Sequence, residues 1–158
     1  MSSIHLIHGF IGFGKTTIAK KLEQELPAVR FTHDEIMLSK YGRNPDDFQT
    51  KYKIVDEYIK EQTKIELTNG NSVILDYGFW NKAIRLKYYL WAKNLTQHVI
   101  FHNVMCDINI ARERAILRTK NNPEELFIDE NIFNSLLSQY EPISEDEEYL
   151  IVNHNTDK

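Results

Sequence analysis

Gly9-Phe10-Ile11-Gly12-Phe13-Gly14-Lys15-Thr16 stands between two stretches of opposite period. Ser3 to His8 before it is a short apolar run bounded by glycine, read as a strand. After it Ile18, Leu22 and Leu26 recur every four residues until Pro27, which reads as one face of a helix. The segment is a full match to GxxxxGKT in its confirming context, a strand before and a helix after. Glycines let backbone N–H groups approach phosphate oxygens with no side chain in the way, and a helix N-terminus adds a dipole that favours anions. Lys15 would reach the β- and γ-phosphates and Thr16 would offer its hydroxyl to Mg²⁺. Gly9, Gly12, Phe13, Gly14, Lys15, Thr16 and Thr17 are therefore the expected nucleotide contacts. A guanine-specific site usually carries NKxD; Asn81-Lys82-Ala83-Ile84 and Thr119-Lys120-Asn121-Asn122 both lack the final Asp, so ATP is expected.

Outward from this loop, strand and helix signals alternate. A second strand is expected over Ala28 to Thr32, then a helix Glu35 to Tyr41. A long helix follows, opened by Pro45, Asp46 and Asp47 and carrying Phe48, Tyr52, Val55 and Ile59 on one face, closing near Gly70. Ser72 to Asp76 reads SVILD, the continuous apolar run of a strand covered on both faces. A helix from Asn81, a strand Gln97 to Met105, helices Asp107 to Lys120 and Asp129 to Tyr140, and a strand Tyr149 to Asn153 complete the chain. The reading is one α/β domain over residues 1–158, a parallel sheet with helices on both faces. Ligands of such sheets bind beyond the carboxyl ends of the strands.

Two acids fall there. Asp76 closes the apolar run and is placed to hold Mg²⁺ directly or through water. Asp34 follows the second strand, where it either accepts a proton from an incoming hydroxyl or, as Thr32 also could, caps the next helix. Arg114 and Arg118 are four apart and share a helix face. They either neutralise charge on a transferring phosphoryl group or form an exposed polar face beside Glu113. Tyr77, Phe79 and Trp80 line an acceptor pocket or pack under the sheet. His33, next to Asp34, reads as a polar residue on a loop rim, with contact to a substrate the lesser alternative, and His98 and His102 read as structural.

Composition bounds the rest. The 158 residues are 42% apolar and 27% charged, with one cysteine, which excludes disordered, collagenous and disulfide-framework classes. The run Ile4 to Phe13 is broken by His5, His8, Gly9 and Gly12, so it reads as neither signal peptide nor membrane span, and a cytoplasmic location is expected. Net charge is −4, but residues 1–123 hold 18 Lys and Arg against 13 Asp and Glu, whereas residues 124–158 hold one base and ten acids. The body suits a phosphate-bearing ligand, and no concentrated basic stripe marks a broad nucleic-acid surface.

Taken together, GFIGFGKTTIAKKL, HDEIM after the second strand, VILDYGFW followed by Arg85, and RERAILR resemble the small P-loop kinases of the AAA type. Relatives of these include polynucleotide 5′-kinases, chloramphenicol phosphotransferase and the zeta-toxin sugar-nucleotide kinases. The resemblance covers about residues 3–120. It implies a three-layer P-loop NTPase with a five-stranded sheet of order 2-3-1-4-5, and phosphoryl transfer from ATP, with Mg²⁺, to a hydroxyl of a small molecule. Asp34 matches the general base of these kinases. Arg114 and Arg118 match the arginines of a lid that closes on ATP, and the stretch from Arg118 to Asp129 would be that lid. Polynucleotide kinases commonly carry an arginine where Met37 stands, which makes an oligonucleotide acceptor the lesser alternative. Its channel would need Arg43, Lys51, Lys53, Arg85 and Lys87. A nucleotide-driven regulatory ATPase with no small-molecule acceptor is the other alternative.

Overall fold

A computed structural model describes residues 2–122 and 127–157. Its strands are β1 (Ile4–His8), β2 (Ala28–Phe31), β3 (Ser72–Gly78), β4 (Val99–Met105) and β5 (Leu150–Asn155). Its helices are α1 (Lys15–Glu25), α2 (His33–Tyr41), α3 (Phe48–Thr68), α4 (Lys82–Lys93), α5 (Ile108–Asn121) and α6 (Glu130–Leu137). All strand pairs are parallel and the order is β2-β3-β1-β4-β5, as the resemblance implied.

The sheet is buried from both sides, which explains the near-continuous apolar runs of β1 and β3. On one face Ile4, Leu6, Val73, Leu75 and Phe101 pack against Val55 and Ile59 of α3 and Tyr88 and Ala92 of α4. On the other, Ile7, Ile74 and Val104 meet Ala19 of α1, Ala111 and Ala115 of α5, and Phe133 of α6. Met37 is 6% exposed and belongs to the first core, so the place of the polynucleotide-kinase arginine is filled by a buried apolar side chain.

Several boundaries differ from the sequence reading, each for a local reason. The long helix begins at Phe48 rather than Pro45, because Asp47 sits in the left-handed region (φ 50°) and its carboxylate accepts the Thr50 amide as an N-cap. Asn81 and Asp107 likewise cap α4 and α5 instead of beginning them. β3 runs two residues past Asp76, to Gly78. Its pairing with β1 shifts from Leu6↔Leu75 to His8↔Gly78, so an extra residue is accommodated around Asp76 and Tyr77. Such a bulge re-aims side chains at a strand end.

Three histidines form a chain across the sheet, of which the sequence reading had singled out only His102, as structural. His5 Nδ1 lies 2.8 Å from His102 Nε2, and His102 Nδ1 lies 2.9 Å from His154 Nε2, with Ser3 Oγ at 2.8 Å from His5 Nε2. Each inter-ring contact holds one proton, so neutral rings satisfy the chain, one extra proton is tolerated at an end, and a second breaks a bond. Burial lowers His5 and His154, and brings His102 down to about 3 with help from both neighbouring rings. Burial similarly brings His8 down to about 4. These folded values lie below the unfolded one, so the unfolded chain binds more protons at acid pH. The stability they contribute is complete above about pH 6.5 and is lost as pH falls toward the folded values. His8 and His102 alone should cost about 2.7 kcal/mol per pH unit between roughly pH 5.5 and 4.5. Denaturant titrations at several pH values check this, and a flat profile over that window would refute it.

No helix among the described residues is long and apolar enough to cross a membrane.

Candidate active site

The glycine loop connects β1 to α1 under tight constraint. Gly12 adopts φ 78°, and a Cβ there would collide with the Ala111 carbonyl of α5. Gly14, at φ 91°, is the N-cap of α1 and packs against Thr156. Only glycine meets both demands at Gly12 without strain. Gly12→Ala is expected to weaken ATP binding by about tenfold or more, because the loop must leave α5 to relieve the clash. Calorimetric titration with ATP measures it.

Phe10 and Phe13 anchor the loop from beneath. They are 0% and 5% exposed and lie among Phe133, Tyr140 and, for Phe10, Trp80. Phe13 was expected among the nucleotide contacts, but its ring is in the core and its amide donates to the Phe10 carbonyl at 3.1 Å. Its role is to shape the loop.

Lys15 donates to the Phe10 carbonyl at 3.0 Å and so lies folded against the loop. Desolvation brings its pKa down to about 8; Asp76 counteracts this, Arg118 adds to it and Asp34 counteracts it again. Four of the residues singled out from the sequence are thus gathered in one electrostatic neighbourhood around the Lys15 ammonium. Thr16 and Thr17 are exposed in the first turn of α1, whose leading amides have no partner within the helix.

Asp76 is nearly covered, its side chain 4% exposed, and its Oδ2 accepts from Arg30 Nε at 3.2 Å and Nη2 at 3.0 Å. Arg30 also reaches Glu35 at 2.7 Å. Sequence reasoning missed Arg30. The signal was a lone charge inside a four-residue strand, and the register that pairs Arg30 with Ile74 puts it diagonal to Asp76.

Asp34 is exposed in the first turn of α2, and Thr32 takes the N-cap position. The capping alternative for Asp34 therefore falls away. Arg114 and Arg118 part company. Arg114 donates to the Thr156 carbonyl and, at 3.3 and 3.4 Å, to Thr156 Oγ1 and Cys106 Sγ. Thr156 in turn donates to the Phe13 carbonyl. Arg114, expected on the phosphates, instead ties the segment after β5 to the glycine loop, while the exposed Arg118 is the one whose charge Lys15 senses. Pro123, within the expected lid, lies outside the described residues.

The acidic C-terminal stretch docks on the body. Arg85 is fully buried and makes a two-point pair with Glu147 at 2.7 and 2.9 Å. It also donates to the carbonyls of Phe79, Glu141 and Pro142. This corrects the reading of Arg85 as part of a nucleic-acid channel, because a guanidinium spent in the interior cannot meet a phosphate backbone. His33 needs correction too. It is 4% exposed and heads α2, with Nε2 2.9 Å from Asp56 and Nδ1 3.2 Å from the Tyr52 hydroxyl. Beside it opens a cavity of about 500 Å³ between α3, α4 and the end of β3, to which Tyr77, Phe79 and Trp80 all contribute.

The loop fits a nucleotide, given a Gly12 at positive φ packed directly on α5, the unpartnered leading amides of α1 and a desolvated Lys15. Among the described residues no cluster of three or more His, Cys, Asp and Glu could hold a metal. Thr16 and Asp76 would be the protein's share of a Mg²⁺ held mainly by phosphate oxygens and water.

No curated protein matches the chain. Among solved structures, Kti12 from Chaetomium thermophilum in complex with ADP-AlF3 is 20% identical, with a TM-score of 0.73 over 98% of this chain and 88% of that one. A sugar kinase from Janibacter sp. HTCC2649 is 16% identical, TM-score 0.59, covering 97% and 86%. A gluconokinase from Sinorhizobium meliloti 1021 is 16% identical, TM-score 0.59, covering 96% and 82%. At these identities the likeness is one of fold. The family described as an AAA domain matches residues 4–143, most of the sequence, and the chain belongs to that family, with the P-loop kinase-like fold.

Proposed function

We propose that the protein transfers the γ-phosphoryl group of Mg-ATP to a hydroxyl of a small molecule. The observation that carries this reading is the position of Asp34. It is an exposed carboxylate with a charge felt both by Lys15 at the phosphate cradle and by Tyr52 at the neighbouring cavity. A carboxylate whose charge reaches both a phosphate site and a neighbouring cavity is suited to serve as a general base. The acceptor oxygen bonds to the γ-phosphorus as the bridging bond to the β-phosphate oxygen breaks. The hydroxyl proton passes to Asp34, and ADP leaves. Lys15 and Arg118 meet the charge that develops on the phosphoryl oxygens, and Thr16 and Asp76 would hold Mg²⁺, which would supply further neutralisation of phosphate charge. Arg114 keeps the segment after β5 against the loop.

ADP release from Mg-ATP, by wild type and Lys15→Ala, with and without sugars, nucleosides, antibiotics and 5′-hydroxyl oligonucleotides, tests the reading. Stimulation by a small hydroxylated compound is expected, and Lys15→Ala should lower it by at least about 10²-fold. Hydrolysis indifferent to every compound would instead favour a nucleotide-driven switch.

A further inference from the structure

The cavity beside His33 has a lining that narrows what it can hold. Its volume, about 500 Å³, is in the usual range of small-molecule sites. Tyr52, Tyr77, Phe79, Trp80 and Tyr88 supply five aromatic side chains to it. The turn that places Phe79 and Trp80 is itself strained, with Phe79 at φ 48°, and is pinned by Arg85 and His8 on the Phe79 carbonyl. Its one carboxylate is already answered. Asp56 Oδ1 accepts from His33 at 2.9 Å and Tyr88 at 2.7 Å, and Lys60 lies 3.5 Å from Oδ2. These bonds outweigh burial and keep Asp56 below its usual value, so the cavity does not call for a cation. What it leaves open is different. The Tyr77 hydroxyl is buried and makes no hydrogen bond of ordinary geometry among the described residues, although Asp56 lies close enough to help push its pKa up. Two exposed lysines, Lys53 and Lys87, also line the cavity, with no carboxylate among the described residues bonded to either.

We propose that this cavity binds the phosphoryl acceptor, and that the acceptor is a hydroxylated heteroaromatic anion: a planar ring among the aromatic side chains, a polar edge on the Tyr77 hydroxyl and a negative group at Lys53 and Lys87. The proposal rests on the phosphotransfer reading for the acceptor's fate, and on the cavity alone for its chemistry. A polyol acid would gain little from an aromatic lining, and a polyamine would bring positive charge to the two lysines. His33 joins the two sites. Its ring stacks on Tyr52 at 4.1 Å and meets Tyr77 at 4.0 Å, and the next residue is Asp34.

Uridine 3′-phosphate carries each group in separable form: a ring, a free 5′-hydroxyl and an anion. Uridine lacks the anion, gluconate lacks the ring and kanamycin is a cationic polyol. Binding to the full-length protein is read from the fluorescence of Trp80, with Trp80→Phe as the control that the signal comes from the cavity. Turnover is read as ADP release from Mg-ATP. Uridine 3′-phosphate is expected to bind at least about tenfold more tightly than uridine or gluconate, and the combined Lys53→Ala and Lys87→Ala variant to remove its advantage over uridine while leaving uridine binding unchanged. Saturable binding without ADP release would uphold the ligand class and overturn phosphotransfer. ADP release driven by gluconate or kanamycin, and not by uridine 3′-phosphate, would overturn the ligand class and leave phosphotransfer standing. A response confined to 5′-hydroxyl oligonucleotides, or none from any probe, would overturn the proposal as well.

Discussion

Asparagine in place of Asp34 is expected to lower acceptor phosphorylation by about 10²–10⁴-fold while changing the ATP dissociation constant by less than about threefold. Asparagine keeps the shape and the ability to accept a hydrogen bond, but it cannot take the proton that the acceptor hydroxyl must lose. The substitution is clean on structural grounds. Asp34 is exposed, sits in the first turn of α2 and is not its cap, so folding loses only the favourable interaction of one carboxylate with a helix N-terminus, about 0.5 kcal/mol. Single-turnover phosphorylation of an identified acceptor, beside calorimetric ATP binding, separates the two effects. Turnover that survives the substitution would remove Asp34 from the chemistry, and lost ATP binding would make it part of the nucleotide site instead.

The parts of this site that the sequence announces are those set by local rules. GxxxxGKT between a strand and a helix fixes where phosphates go, and the apolar run ending in Asp76 fixes a carboxylate at the end of a central strand. Both rest on periodicity and on glycine's freedom at positive φ, which a single chain segment expresses. What stayed hidden depends on pairs far apart in sequence. Arg30 reaches Asp76 through the register of β2 on β3, and Tyr52 and Tyr88 reach His33 and Asp56 by packing of α3 and α4. The helical spacing of Arg114 and Arg118 gave no sign that the segment after β5 brings Thr156 onto Arg114. The charge sum of the C-terminal segment was visible. That one of its acids, Glu147, is buried was not, since composition carries no information on which of ten acids has an arginine waiting for it.

That pair carries the largest expected effect on stability. Arg85 is 0% exposed and the Glu147 side chain 2% exposed, so each charge is answered chiefly by the other. Burial pushes Glu147 upward, but the Arg85 bonds outweigh it and bring its pKa down to about 2. Glu147→Ala leaves a guanidinium in the interior with three carbonyls and no counter-charge, which is expected to cost about 3–5 kcal/mol and to lower Tm by about 6–20 °C. The damage should also reach the site. Arg85 holds the Phe79 carbonyl, His8 at the end of β1 shares that carbonyl, and Glu141 donates to the Trp80 carbonyl, so the strap from 141 to 147 fixes the turn that lines the cavity. Replacing both members, Arg85→Met with Glu147→Leu, removes the buried charges together and should recover most of the lost stability. Thermal and denaturant unfolding of the single and double variants decides the matter: if Glu147→Ala and the double variant melt alike, the pair's charges are not what the fold depends on, and the strap is held by its backbone bonds alone.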